Sequence, residues 1–94
     1  MTVVVSGSIR IDPAKIDELV YAATEFQEKC RSEKGCVDYT LSWDVSGNGV
    51  LRLYEEWDSA EASSVHGTQP HVELWASRVA AAALEAPHFA RHDF

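Results

Sequence analysis

The stretch Tyr54-Glu55-Glu56-Trp57-Asp58-Ser59, followed by His66 and then by Thr68-Gln69-Pro70-His71, gathers side chains able to move a proton near neutral pH. Alternation along the strand that carries Tyr54 places Glu55 on the face of Leu51, Leu53 and Trp57, the face that helices must cover. A carboxylate directed into a core needs a partner. Two readings are open for it: a structural hydrogen bond to a helix N-terminus or a nearby histidine, or a role in orienting His66 or His71 in a pocket. His66 and His71 have Gly67 and Pro70 between them, so they lie across a helix break and not one turn apart on a helix. As a metal pair this spacing is weak, with no cysteine or clear third ligand beside it, and no metal is expected. As pocket residues the two histidines are the candidate catalytic groups, with Glu55 as the third. His71, at the second position of a helix, is also readable as a cap-region residue.

Phe26, Tyr39, Trp43, Trp57 and Trp75 all fall on inward faces by the periods of their segments. Core packing accounts for aromatic stripes of this kind. Five large rings beside Glu55 and two histidines also resemble a cavity lined for a flat organic molecule, which makes these five the candidate substrate-binding residues. His88 and His92 sit on the C-terminal tail, where solvated residues are the default. There is no GxGxxG, P-loop, GxSxG or zinc signature, so no nucleotide, flavin or other cofactor is expected. Cys30 and Cys36 lack CxxC or zinc-ribbon spacing and read as two buried or half-buried thiols.

The elements that must position these residues can be read from periodicity. Apolar Val3, Val5, Ile9 and Ile11 alternate with Ser6, Ser8 and Arg10, the period of a half-buried strand, and Gly7 interrupts its apolar face as a bulge or as room for a close approach. Asp12-Pro13 then predicts a helix start, and Ile16, Leu19, Val20, Ala23, Phe26 and Cys30 predict its buried face in a helix of about twenty residues that Gly35 ends. Val37, Tyr39, Leu41, Trp43 and Val45 alternate with Asp38, Thr40, Ser42 and Asp44; Ser46-Gly47-Asn48-Gly49 is turn chemistry, and Val50 to Trp57 completes a hairpin. Asp58, with Glu61 three residues on, predicts the cap of a short helix ended by Gly67. Pro70 opens another, with Val72, Trp75, Ala76, Val79 and Ala83 as its buried stripe and Pro87 as its stop. The tail from His88 to Phe94 fits an edge strand or an arm. This order is the ferredoxin-like α+β plan, an antiparallel sheet with helices on one face. The other face would carry Val4, Ser6, Ser8, Thr40, Ser42, Arg52 and Tyr54, a mixed surface suited to packing on a second copy.

Composition bounds what such a chain can do. Its 94 residues, 46% hydrophobic and 24% charged, suffice for one domain spanning residues 1–94, and a deep private pocket is difficult at this size without a partner subunit, which points to a homodimer. A net charge of −7, with no Lys or Arg between Arg52 and Arg78, would repel phosphate backbones and anionic membranes. Neither a nucleic-acid nor a membrane partner is expected. The segment from Met1 to Arg10 has no basic n-region and no apolar run of signal length, so a cytoplasmic location is expected.

At Glu-Lys-Gly-Cys-Val-Asp-Tyr (33–39), then Glu55-x-Trp57-Asp58-Ser59, then His66, then Pro70-His71, the chain resembles the antibiotic biosynthesis monooxygenase domain family, which includes small quinol and anthrone monooxygenases. The first of these pieces is similar to the family's E-x-G-x-x-x-[YF] helix-to-strand junction. The resemblance implies a dimeric α+β barrel in which two ferredoxin-like sheets pack together, with one pocket per subunit between sheet and helices. It also implies a reaction without metal, flavin or haem, in which a phenol or quinol is deprotonated and its anion meets O₂. His66 and His71 then match a base or donor, Glu55 an orienter and Trp57 a pocket wall. Family members that degrade haem use an Asn on the first strand, a Trp on the short helix and a His on the last helix. Those positions fall here near Ser6 and Gly7, on His66 and on Ala76, so haem degradation is not expected. Isomerases of phosphorylated autoinducer sugars need a phosphate site, which the scarcity of Lys and Arg disfavours and Arg10 and Arg52 keep open. A non-catalytic dimer that only holds a hydrophobic molecule is the third reading.

Overall fold

The computed structural model of the chain describes residues 1–94. The elements run β1 (Val3–Arg10), a 3-10 turn (Pro13–Lys15), α1 (Ile16–Arg31), β2 (Cys36–Trp43), β3 (Val50–Trp57), α2 (Ala60–His66), α3 (Pro70–Ala82) and β4 (His88–Asp93). The strands form one antiparallel sheet in the order β2-β3-β1-β4. The ferredoxin-like α+β plan therefore holds, and the tail is its edge strand. No helix is long and apolar enough to cross a membrane.

Several boundaries differ from the sequence pattern, each for a local reason. Asp12 Oδ1 accepts from the Ala14 N–H at 3.0 Å, as a cap should, but the residues after it form a tight 3-10 turn and the α-helix begins only at Ile16. That helix ends at Arg31, before Gly35, and Val20 lies exposed at the rim of the stripe formed by Leu19, Phe26 and Cys30. In β2 the register slips between Cys36 and Asp38, which pair with Trp57 and Glu56 in turn, so Val37 is an extra residue thrown outward. The bulge puts Cys36 on the same side as Tyr39 and Leu41, and the unbroken alternation from Val37 to Val45 does not survive it; Val45 lies past the strand's end and is fully exposed. Ser59, and not Asp58, caps α2 by accepting from the Ala62 N–H. Helix α3 stops at Ala82, well before Pro87, because Ala83 bridges to Ile11 and the Leu84 N–H donates to the Arg10 carbonyl.

The helix-facing side of the sheet carries Val3, Val5, Gly7 and Ile9 of β1 opposite Trp57, Glu55, Leu53 and Leu51 of β3. Trp57, Ile11, Leu51, Val3 and, from α1, Cys30 are the most deeply buried side chains of the core between sheet and helices. The register also puts Ser6 beside Tyr54 and Ser8 beside Arg52, with Thr40 and Ser42 on the same partners from the other strand. The mixed face read from the sequence thus exists as one surface, with Tyr54 donating to Glu56 and Thr40 to Asp38 along it.

Gly35 fixes how α1 is joined to the rest. Its φ is +86°, and a Cβ there would stand 2.5 Å from the Ala62 Cβ and 2.7 Å from Asp58 Oδ1. The same residue accepts the Asp58 N–H at 2.9 Å, which docks the start of the α2 segment on the turn after α1. Gly35→Ala is expected to cost roughly 1–3 kcal/mol through the left-handed backbone and the collision together. A urea midpoint shift in the purified variant checks this.

Candidate functional site

A cavity of about 550 Å³ lies between the helix-facing side of the sheet and α3. Strands contribute Val5, Ile9, Tyr39, Leu41, Leu53 and Glu55; Phe26 comes from α1, His66 from the end of α2, and Val72, Trp75, Ala76, Val79 and Ala80 from α3. Ala83, Leu84, Glu85, Pro87 and Phe89 complete the wall. The size is that of a small-molecule site, and the small side chains of Ala76, Ala80 and Ala83 leave the room on the α3 side. Gly7 serves this cavity as well: Phe89, its neighbour on β4, lays its ring across the glycine so closely that a Cβ there would meet Phe89 Cδ1 at 2.4 Å. Of the two readings of Gly7, close approach is the one the structure shows, since β1 pairs without a bulge.

Four titratable side chains, Glu33, Glu55, His66 and His71, gather at and behind the cavity wall. Glu33 Oε2 lies 2.8 Å from His66 Nδ1 and 2.8 Å from His71 Nε2. An ionised carboxylate only accepts, so with Glu33 ionised both of those nitrogens carry hydrogen. In the neutral form of each imidazole the proton-free nitrogens are then His66 Nε2 and His71 Nδ1. His66 Nε2 stands 4.0 Å from Glu55 Oε1, too far for a hydrogen bond, and that oxygen instead accepts from Trp57 Nε1 at 2.8 Å. Glu55 is thus held by Trp57, and the residue that orients both histidines is Glu33. The His66 ring packs against Trp57 with centroids 4.6 Å apart and lies 5.5 Å from Tyr39, while Phe26 stacks on Trp75 at 4.9 Å. Burial holds the Tyr39 hydroxyl in its neutral form, with the Glu55 charge acting in the same direction. Burial likewise pushes the Cys30 thiol far up, and the charges of Glu33 and Glu55 add to it.

Of the residues singled out by sequence, His66, Glu55, Tyr39, Phe26 and Trp75 line the cavity. His71 does not: it reaches Glu33 from the opposite side and borders a small cleft of about 40 Å³ on the surface between α1 and α3. Trp57 is completely buried behind Glu55 and His66, a support of the wall and not its surface. Trp43 stands elsewhere, at the far end of β2, in a groove with Val20 and Leu51. Glu33 was not among the candidates. Its signal was present, because it opens the Glu-Lys-Gly junction and follows Cys30 by three residues, but helical and strand periods assign no face to a turn.

Comparison with known proteins agrees with this architecture. The profile of the family described as antibiotic biosynthesis monooxygenase matches residues 2–78. An uncharacterised protein of Synechocystis is 30% identical over 69 residues, covering 73% of this chain and 47% of its own length, so the chain spans about half of that relative. Among solved structures, an antibiotic biosynthesis monooxygenase is 26% identical with a TM-score of 0.89, covering 100% of this chain and 98% of its own. Rv0793 from Mycobacterium tuberculosis shares the fold at a TM-score of 0.90 and 22% identity, over 99% of this chain and 94% of its own. A sheet in the order β2-β3-β1-β4, an apolar cavity under α3 and a family profile that runs from before β1 into α3 converge: the chain belongs to the antibiotic biosynthesis monooxygenase family.

Proposed function

We propose that the protein is a cofactor-independent monooxygenase acting on an aromatic phenol, quinol or polyketide-like molecule. The observation that carries this reading is the tethering of His66 by Glu33, which leaves one imidazole nitrogen free at the wall of an otherwise largely apolar cavity. A flat ring system fills such a space with Phe26, Tyr39 and Trp75 against it. His66 Nε2 takes the phenolic proton, and the electron-rich anion forms a C–O bond with O₂. Collapse of the resulting peroxide breaks the O–O bond. One oxygen atom stays on carbon as a carbonyl, and the other leaves as water with the two hydrogens that the substrate gave up. The substrate supplies every electron, so no external reductant enters the balance. Exclusion of water by the apolar wall strengthens the attraction between the bound anion and any donor beside it.

Residues 1–94 act in this reading as one unit of a homodimer packed through the face of Ser6, Tyr54 and Arg52. Sedimentation is expected to show a dimer at micromolar concentration, with an interface above roughly 1,000 Å² in total. The chemistry is tested with an oxygen electrode and a panel of hydroquinones and anthrones. Uptake of one O₂ per product supports the oxygenase; product without uptake would make the protein an isomerase, and tight binding with neither would make it a carrier.

A further inference from the structure

Behind His66, on the side away from the cavity, the chain brings together a set of groups that no sequence spacing announces. One ligand atom each from Cys30, Glu33, His66 and His71 lies within 4.8 Å of all the others. They come from four places: the last turn of α1, the turn after it, the end of α2 and the first turn of α3. A thiol, a carboxylate and two imidazoles form a donor set suited to tetrahedral Zn²⁺, whose bonds of roughly 2.0–2.3 Å require the two 2.8 Å Glu33–histidine separations to open slightly and the wider ones to close. The histidine pair looked unsuited to a metal because its third and fourth partners are more than thirty positions away in sequence.

Two further observations point to a cation. Glu33 Oε1 is buried with no hydrogen-bond partner, a free acceptor inside the cluster. Glu55 is buried and Glu33 half-buried, and their only ion-pair partners are imidazoles, with no Lys or Arg among them. A divalent cation bound by the Glu33 carboxylate and a Cys30 thiolate would be neutralised by the two.

We propose that Cys30, Glu33, His66 and His71 form a binding site for a thiophilic divalent cation, with zinc the best match, entered from the surface cleft that His71 borders. Binding releases the Cys30 proton, moves the His71 hydrogen from Nε2 to Nδ1, and moves the His66 hydrogen from Nδ1 to Nε2. The consequence of the His66 change rests on the reading of His66 as the base: it removes the lone pair that faces the cavity, so zinc becomes a reversible inhibitor of turnover. The oxygenase works with the site empty.

The test separates the two ideas because binding is measured without substrate. Chelator-treated protein is titrated with Co²⁺ and followed by absorption, then with Zn²⁺ by calorimetry. One equivalent per chain, with tetrahedral Co²⁺ bands and a thiolate-to-cobalt band, is expected. Cys30→Ser should abolish the thiolate band, and His71→Ala, whose side chain is the most exposed of the four, should weaken zinc by more than roughly tenfold while remaining folded. Absence of saturable binding, or undiminished zinc affinity in His71→Ala, would overturn the site. Turnover by the chelator-treated protein is read separately and bears only on the oxygenase.

Discussion

His66→Ala is expected to lower turnover per folded molecule by roughly 10²–10⁴-fold, the range for removing a positioned general base. The geometry behind the figure is the single bond from His66 Nδ1 to Glu33, which fixes the ring and leaves Nε2 to the cavity. Stability will fall as well. His66 is buried against Trp57, and its loss strips Glu33 of one of two charge-assisted partners, so a cost of roughly 1–3 kcal/mol follows. Turnover must therefore be normalised to folded protein, with thermal midpoint and rate measured on the same preparation. A variant with a lowered midpoint and normal turnover would reduce His66 to a packing residue. His71→Ala provides the contrast, since His71 touches Glu33 but not the cavity and should leave much more activity.

What the sequence disclosed about this site followed from period. Strand alternation placed Glu55, Leu53 and Leu51 on one face of β3, and the register with β1 confirms it residue by residue. Helical spacing placed Phe26 and Trp75 inward, and the two rings stack. Period failed where the backbone leaves regular geometry. The bulge turns Val37 outward against its expected face. Trp43 keeps the inward face opposite Leu51, but at the strand's far end it lies over α1 and away from the cavity. The largest omission, Glu33, sits in a turn whose shape depends on Gly35 contacting Ala62 and Asp58, a tertiary contact that no local pattern encodes. The same contact explains why a carboxylate and a histidine more than thirty positions apart can share a bond of 2.8 Å. Glu55 illustrates the converse. Its inward direction is legible in the alternation, but its partner is Trp57, two residues along the same strand, whose indole N–H holds it from behind the pocket wall.

Glu33→Gln isolates the role of that missed residue, because the side chain keeps its shape while losing its charge. In the native site the carboxylate accepts from both histidines and so dictates where each carries its hydrogen. The amide offers one oxygen and one NH₂ group. When the NH₂ faces His66 Nδ1, it can donate only to an unprotonated nitrogen, and the His66 hydrogen is driven to Nε2, where the base must be free. Turnover should then fall by roughly 10²–10⁴-fold, as in catalytic histidines whose carboxylate partner becomes an amide. Folding should change far less, because the substitution removes the carboxylate's charge, and an NH₂ in the place of Oε2 can donate to both histidines in exchange for the two bonds lost. The loss belongs in kcat and not in KM, since Glu33 does not line the cavity that binds the substrate. Histidine nitrogen NMR gives the readout that a purely structural role would not move: the native protein should show His66 with hydrogen on Nδ1, and the variant should show it on Nε2. A variant that keeps native kcat and the native tautomer would make Glu33 a joint between helices and return the choice of base to the other groups at the cavity wall.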